Sequence, residues 1–486
     1  MSNSNNSNSS NNSNIFYSIW RDSYIRGMVR ARLLANLQIS LFIQQLDHDD
    51  IIPLTKLSSL HKLKNNINIE CYIPNFDNLL NYPNRYIINK LFINLNDSPE
   101  IFNLQDIHEG VHTLMLVKDT QETPRQFSGT LPSSLTDLSL IQKGGEIQFI
   151  QNLLQTLHTT AIQKLWVTGY TIDSSFVVPR SLSTFCYEAS YESLKWIVVS
   201  PNQVLQGCKM EIKSLQDFPW LDENKWIVSV ILRELLCDLV HDLIPQHVSE
   251  VSIEYPIHQT VELQADSLPK MLESFQCLNR FTFLPNILPI HLKSLVLSFN
   301  PIPRLETGFL PPSLEKLHMP YYNEPLDLDV LPASLTDLII PDFNHPLDAL
   351  VLPCRLKFLT MRAFTQPTLP ANSLPSTLVS LAIPSFKGSF GTGSEPLDKL
   401  NDLYIDMLDR SISPLLQNVV NITITTYGGL NDGVSLFHTS IRNLVLSSNK
   451  RVTIDSLFLP QHLQTLESKG IKFNPIPTGC KCKIIP

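Results

Sequence analysis

Few side chains in this sequence are spaced for chemistry. Asp47-His48-Asp49-Asp50 offers three carboxylates and an imidazole in a row. Such donors suit a metal, but four consecutive residues ahead of Ile51-Ile52-Pro53 read as an exposed acidic turn. Cys480-Lys481-Cys482 sets two thiols one residue apart, whereas a zinc site takes about four ligands and no His/Cys pair accompanies them. Cys482 is also one residue too early for a prenylation box. Gly388-Ser389-Phe390-Gly391-Thr392-Gly393 is glycine-rich, yet a phosphate cradle needs such a loop between a buried strand and a helix N-terminus. There is no P-loop, nucleophile elbow, HExxH or kinase signature set, and the 13 histidines show no ligand spacing. The expectation is a non-enzymatic chain with no catalytic, cofactor-binding or metal-ligating residue, and no cofactor.

Composition narrows the partners. Of 486 residues, 17% are charged and 43% hydrophobic, with 34 prolines against 16 glycines. Proline at that density argues against long helices, because each one inside a helix costs about 3 kcal/mol. The formal net charge of -8 lacks the basic surplus of a nucleic-acid binder. No apolar run approaches the roughly 18 residues of a membrane span, and the N-terminus lacks an apolar signal core. Eight scattered cysteines do not form a disulfide framework. The expected setting is cytoplasmic or nuclear, without nucleic acid or membrane.

The elements that must carry any site repeat. Leu-Pro-x-x-Leu-x-x-Leu-x-apolar begins at Leu288, Leu310, Leu331, Leu352 and Leu374, with spacings of 22, 21, 21 and 22 residues. The copy at Leu131 is complete, while the copy at Leu459 has Ser468 in the last apolar position. Degenerate copies extend the series to eighteen units between Ile88 and Leu463, a mean of about 22 residues apart. One stretch, Val248 to Leu278 to Leu292, steps by 30 and then 14, and reads as a local insertion with Pro269–Glu273 as a helical turn.

A fixed period of this size marks a solenoid. In the unit Leu335, Leu338 and Ile340, residues 338 and 340 point one way and Asp337 and Ile339 the other. One short strand per unit cannot pair with itself, so it pairs with its equivalent in the next coil. The predicted fold is a stack of parallel strands about 4.8 Å apart with inward leucines in columns and a mostly non-helical convex side. Phe343-Asn344 and Tyr322-Asn323 follow the strand. The ring is expected to fill the coil interior and the asparagine to bond turn backbone.

Four regions follow. Residues 1–14, asparagine and serine after Met1, are expected to be disordered. Residues 15–84 are predicted as a helical N-terminal cap, from the i, i+4 series Phe16, Trp20, Tyr24 and Ile25, Val29, Leu33. Residues 85–475 form the solenoid, and 476–486 a C-terminal tail.

Phe343-Asn344-x-Pro346-Leu347 followed by Leu352-Pro353-x-x-Leu356-x-x-Leu359 resembles the FNIP-repeat proteins of social amoebae, a leucine-rich-repeat-like family. The resemblance is strong over 285–390 and degenerate on either side. It implies a repeat scaffold and no particular reaction.

Such a scaffold presents its sheet face for binding. Strand register places Phe92, Met115, Trp166, His318, Ile339, Phe358 and Tyr404 outward. A face that is only solvated needs none of these apolar side chains, and buried aromatics dominate interface energetics. They are the candidate contacts for an unidentified protein partner. The leading function is therefore a protein-protein interaction scaffold. A ubiquitin-ligase substrate adaptor recruiting through the N-terminal helices is the alternative. An enzyme on a parallel β-coil is a third, opposed by the three-unit separation of Asp337 and Asp402.

Overall fold

A computed structural model describes residues 34–485 except 75, 97–100, 120–125, 144–149, 234–242, 255–259, 262, 265, 282–285, 392–395, 409, 426–434, 456–457 and 475–480. The chain divides into two compact units, Met1–Met210 and Glu211–Pro486. Each is a parallel-strand solenoid.

In the first unit, strands Gln38–Phe42, Asn68–Ile73, Lys90–Asn94, Thr113–Lys118, Asp137–Gln142, Lys164–Thr168 and Thr184–Ser190 pair in sequence order, all parallel. In the second, the ladder runs from Ser229–Leu232, Glu250–Ile253, Ser274–Cys277 and Ser294–Leu297 through Lys316–His318, Asp337–Ile339, Phe358–Thr360 and Ser380–Ile383. It continues with Asp402–Ile405, Asn421–Ile424, Asn443–Asp455, Thr465–Asn474 and Lys481–Ile485. Return arms carry short 3-10 turns, single-turn helices and two-stranded pairings such as Phe176–Val177 with Ile197–Val198.

The inward columns are as the spacing predicts. Leu335, Leu338 and Ile340 are fully buried, as are Leu314, Leu356 and Leu378 at the first position of their coils. Proline starts a tight turn into many of the strands. The Leu335 N–H donates to Pro332 O at 3.0 Å, and Leu356 N–H to Pro353 O at 3.1 Å. The hydroxyl residue before that leucine ties the coil to its predecessor. Ser334 Oγ donates to Leu314 O at 2.7 Å and Thr377 Oγ1 to Leu356 O at 2.8 Å.

The rings after the strand form an interior stack. Tyr322, Phe343 and Phe364 are fully buried, with centroid separations of 6.4 and 6.3 Å and planes within 4° of parallel. The asparagines bridge coils: Asn323 Oδ1 accepts the Asn344 N–H at 2.9 Å, and Asn344 Oδ1 accepts the Thr365 N–H at 2.8 Å. Asn344→Ala removes that acceptor and is expected to lower stability by about 1 kcal/mol. Urea denaturation checks this, with Asn344→Asp, which keeps an acceptor, as the milder control.

Before each Leu-Pro turn one residue is left-handed: Gly308, Asp329, Leu350 and Asn372, with φ of 91°, 61°, 65° and 60°. Glycine, aspartate and asparagine tolerate this region, whereas a leucine there is strained by about 1–2 kcal/mol. Leu350 is also 73% exposed. Leu350→Asn is therefore expected to raise stability by about 1 kcal/mol, read as a higher urea midpoint at unchanged slope.

The structure corrects three boundaries. Residues 1–14 and 15–33 lie outside the described residues. The rest of the predicted helical cap is mixed, because strands Gln38–Phe42 and Asn68–Ile73 already belong to the ladder and only short helices such as Ser59–Lys64 separate them. Alternating burial of Ile69, Cys71 and Ile73 sets a period of two there, overriding any helical reading. Lys62 on that helix is buried, and its Nζ donates to Ile87 O at 2.8 Å, so burial lowers its pKa.

At the other end, Lys481–Ile485 is a ladder strand rather than a tail. The insertion between Val248 and Leu292 does not exist. Leu272, Phe275 and Cys277 are the buried positions, and Leu278 is 38% exposed. The strand Ser274–Cys277 pairs on both sides without a break in register. Leu268-Pro269 is the missed Leu-Pro step, with Phe and Cys in place of the expected aliphatics.

Candidate interaction face

Outward side chains of adjacent rungs sit side by side, since parallel strands lie about 4.8 Å apart. In the first unit the register aligns Phe42, Tyr72, Phe92, Met115, Ser139, Trp166 and Cys186 in one column. Phe92 and Met115 are half-buried, and Trp166 is 46% exposed. The column extends over Tyr72 and Phe42, both exposed, which the helical reading of 15–84 missed. The alternation of Tyr72 with buried Cys71 and Ile73 was the available signal. The neighbouring column holds Glu70, Lys90, Asp137 and Lys164. Lys164 Nζ lies 3.3 Å from Asp137.

In the second unit, His318, Ile339, Thr360, Ala382 and Tyr404 share one column. Phe358 stands in the adjacent column, between Asp337 and Ser380. Ile339, Phe358 and Tyr404 are exposed, while His318 is half-buried. Burial and the Arg362 cation both hold the His318 imidazole below its usual pKa, so it is neutral at pH 7. The structure thus groups four of the seven predicted residues within a few rungs of one another, and the other three on the first unit's column.

Past Tyr404 the face becomes polar and self-satisfied, a feature the repeat reading did not anticipate. Asn421 Nδ2 donates to Asp402 Oδ1, Asn443 Nδ2 to Asn421 Oδ1, and Thr465 Oγ1 to Asn443 Oδ1, each at 2.6 Å. Such a chain spends the groups of Asn421, Asn443 and Thr465 on one another and ends on the charged Asp402 carboxylate. Among the described residues no group of three or more His, Cys, Asp or Glu is placed to hold a metal ion. Nor is any described helix long and apolar enough to cross a membrane.

One family model matches part of the second unit. The model of the FNIP Repeat family matches residues 299–343 and 343–386, the coils containing the Tyr322, Phe343 and Phe364 stack. No curated protein sequence matches. Solved structures with similar chains include CroV588, described as a novel circular LRR protein, at 16% identity. That likeness covers 86% of this chain and 74% of that one, with a TM-score of 0.40. YopM from Yersinia enterocolitica WA-314 is 16% identical over 82% of this chain and 87% of its own, with a TM-score of 0.33. A chain of the Drosophila Toll–Spatzle complex is 13% identical over 86% and 60%, also with a TM-score of 0.33. Residues 299–386, whose rings and asparagines stack in register, thus match two successive FNIP repeats, each spanning two coils.

Proposed function

We propose that this protein is a non-enzymatic interaction scaffold whose outward sheet columns hold a protein partner. The observation that carries this reading is the exposure of large apolar side chains on those columns: Trp166 at 46%, Phe358 at 43%, Tyr404 at 38% and Ile339 at 37%. Large apolar side chains left exposed on outward sheet positions mark interaction sites, and aromatic anchors are typically worth at least about 2 kcal/mol each when truncated. Phe92, Met115 and His318 supply the half-buried flanks. The partner is unidentified and the compartment proposed is the cytoplasm.

The test is affinity purification of the full chain with quantitative mass spectrometry, wild type against Trp166→Ala with Phe358→Ala. Specific partners are expected to fall at least tenfold in recovery while the thermal melt stays unchanged. Equal recovery of every partner would falsify the assignment of the face.

A further inference from the structure

One part of this face has a chemistry of its own. Two columns of four residues run side by side across four rungs of the second unit. One is Asp337, Phe358, Ser380, Asp402; the other is Ile339, Thr360, Ala382, Tyr404. The pairing is in register throughout, so the relative positions follow from the ladder. Asp337 and Asp402 stand three rungs apart, about 14 Å at ~4.8 Å per rung.

The small side chains Ser380 and Ala382 occupy the same rung and make a low floor. Phe358, 43% exposed, rises beside the floor in one column. Tyr404, 38% exposed, rises beyond it in the other. The register thus sets two small side chains next to an exposed aromatic residue on either side, with a carboxylate at each end of one column.

The carboxylates are held by neutral donors. Thr336 Oγ1 donates to Asp337 Oδ2 at 2.6 Å. Asn401 Nδ2 and Asn421 Nδ2 donate to the Asp402 oxygens at 3.0 and 2.6 Å. Among the described residues neither forms an ion pair within 4.0 Å, although Lys316 is one rung from Asp337. Elsewhere on the ladder carboxylates do find cations, as Asp137 finds Lys164 and Glu273 finds Lys293. Among the described residues both carboxylates thus stand beside exposed rings without an ion-pair partner.

A negative rim over π faces is complementary to an organic cation. Carboxylates attract it by charge, and a ring within about 6 Å attracts it through its quadrupole. The methylene stem of arginine or lysine matches the apolar floor and Ile339. We propose that this patch binds a basic, extended segment of a partner protein, with an arginine or lysine seated over Ser380 and Ala382 between Phe358, Tyr404 and the two carboxylates. The inference rests on the interaction reading above and names the chemistry of its partner.

Random dodecapeptides displayed on phage and selected on the immobilised full chain supply the probes. The selected peptides are then synthesised with a fluorescent label and titrated by anisotropy. The chains compared are wild type, Asp337→Asn with Asp402→Asn, Phe358→Ala, and Trp166→Ala, each checked for an unchanged melt. Peptides rich in arginine or lysine beside an apolar residue are expected. Their affinity should fall at least tenfold in the double asparagine variant and in Phe358→Ala, and should weaken as salt is raised. It should be unaffected by Trp166→Ala. Selected peptides without basic residues, or affinities unchanged in the asparagine and Phe358 variants, overturn the inference. If such peptides are instead lost with Trp166→Ala, the face still binds protein and only this patch is wrong. If no peptide is selected, the basic-segment inference fails, while the interaction reading still stands or falls on its own purification test.

Discussion

Phe343→Ala is expected to destabilise the second unit by about 3–5 kcal/mol. The ring is fully buried and sandwiched between Tyr322 and Phe364 at 6.4 and 6.3 Å. Truncation loses both its transfer free energy and its contacts with two flat neighbours whose positions are set by separate strands. The coils can close the resulting gap only by breaking rung hydrogen bonds, so the cavity should persist. Stability in a stack is close to a sum of nearest-neighbour terms, which makes the damage local. Hydrogen exchange should therefore show lost protection in residues 322–386 first, and urea denaturation should show either a lower midpoint or a split transition. Phe343→Leu refills part of the space and should cost roughly half as much. A loss below about 1 kcal/mol for the alanine variant would mean that the ring stack does not hold these coils together.

Gly169→Ala should cost about 3 kcal/mol or more, for two separable reasons. Gly169 follows the strand Lys164–Thr168 with φ of +77°, a region that costs a residue with a Cβ about 1–2 kcal/mol. A Cβ there would also lie 2.1 Å from the Gln142 carbonyl oxygen, in the preceding coil. That oxygen is backbone and cannot rotate away, so the coils must shift apart. Gly308 provides the comparison. Its φ is +91°, but a Cβ there meets nothing within 4 Å. Gly308→Ala should therefore show only the backbone cost, about 1–2 kcal/mol. Similar losses at the two positions in thermal or urea unfolding would remove close coil approach as the cause at Gly169.

Much of the coil is legible residue by residue. Leu335, Leu338 and Ile340 announce one buried column by their spacing, and Pro332 announces the turn that feeds the strand. The residue types of Phe343 and Asn344 alone point to the coil interior and to turn backbone, and they lie there. These features depend on a few neighbouring residues, and a solenoid writes them again in every coil. Where type departed from pattern the reading slipped. Phe275 and Cys277 hid a regular coil behind an apparent insertion. Around Asn68–Ile73, the helical periodicity upstream masked a two-residue alternation that decides burial.

The face is a different matter. Register showed which side chains point outward, including Trp166, Ile339, Phe358 and Tyr404. It did not show that Ser380 and Ala382 leave small side chains between Phe358 and Tyr404, or that Asp337 and Asp402 take neutral hydrogen-bond donors. Nor did it show that Asn421, Asn443 and Thr465 close into a self-satisfied chain. Alternation along one strand is a local consequence of backbone geometry, and any window of ten residues displays it. Adjacency across rungs joins residues about twenty positions apart, through hydrogen bonds whose register is set only once the coils pack.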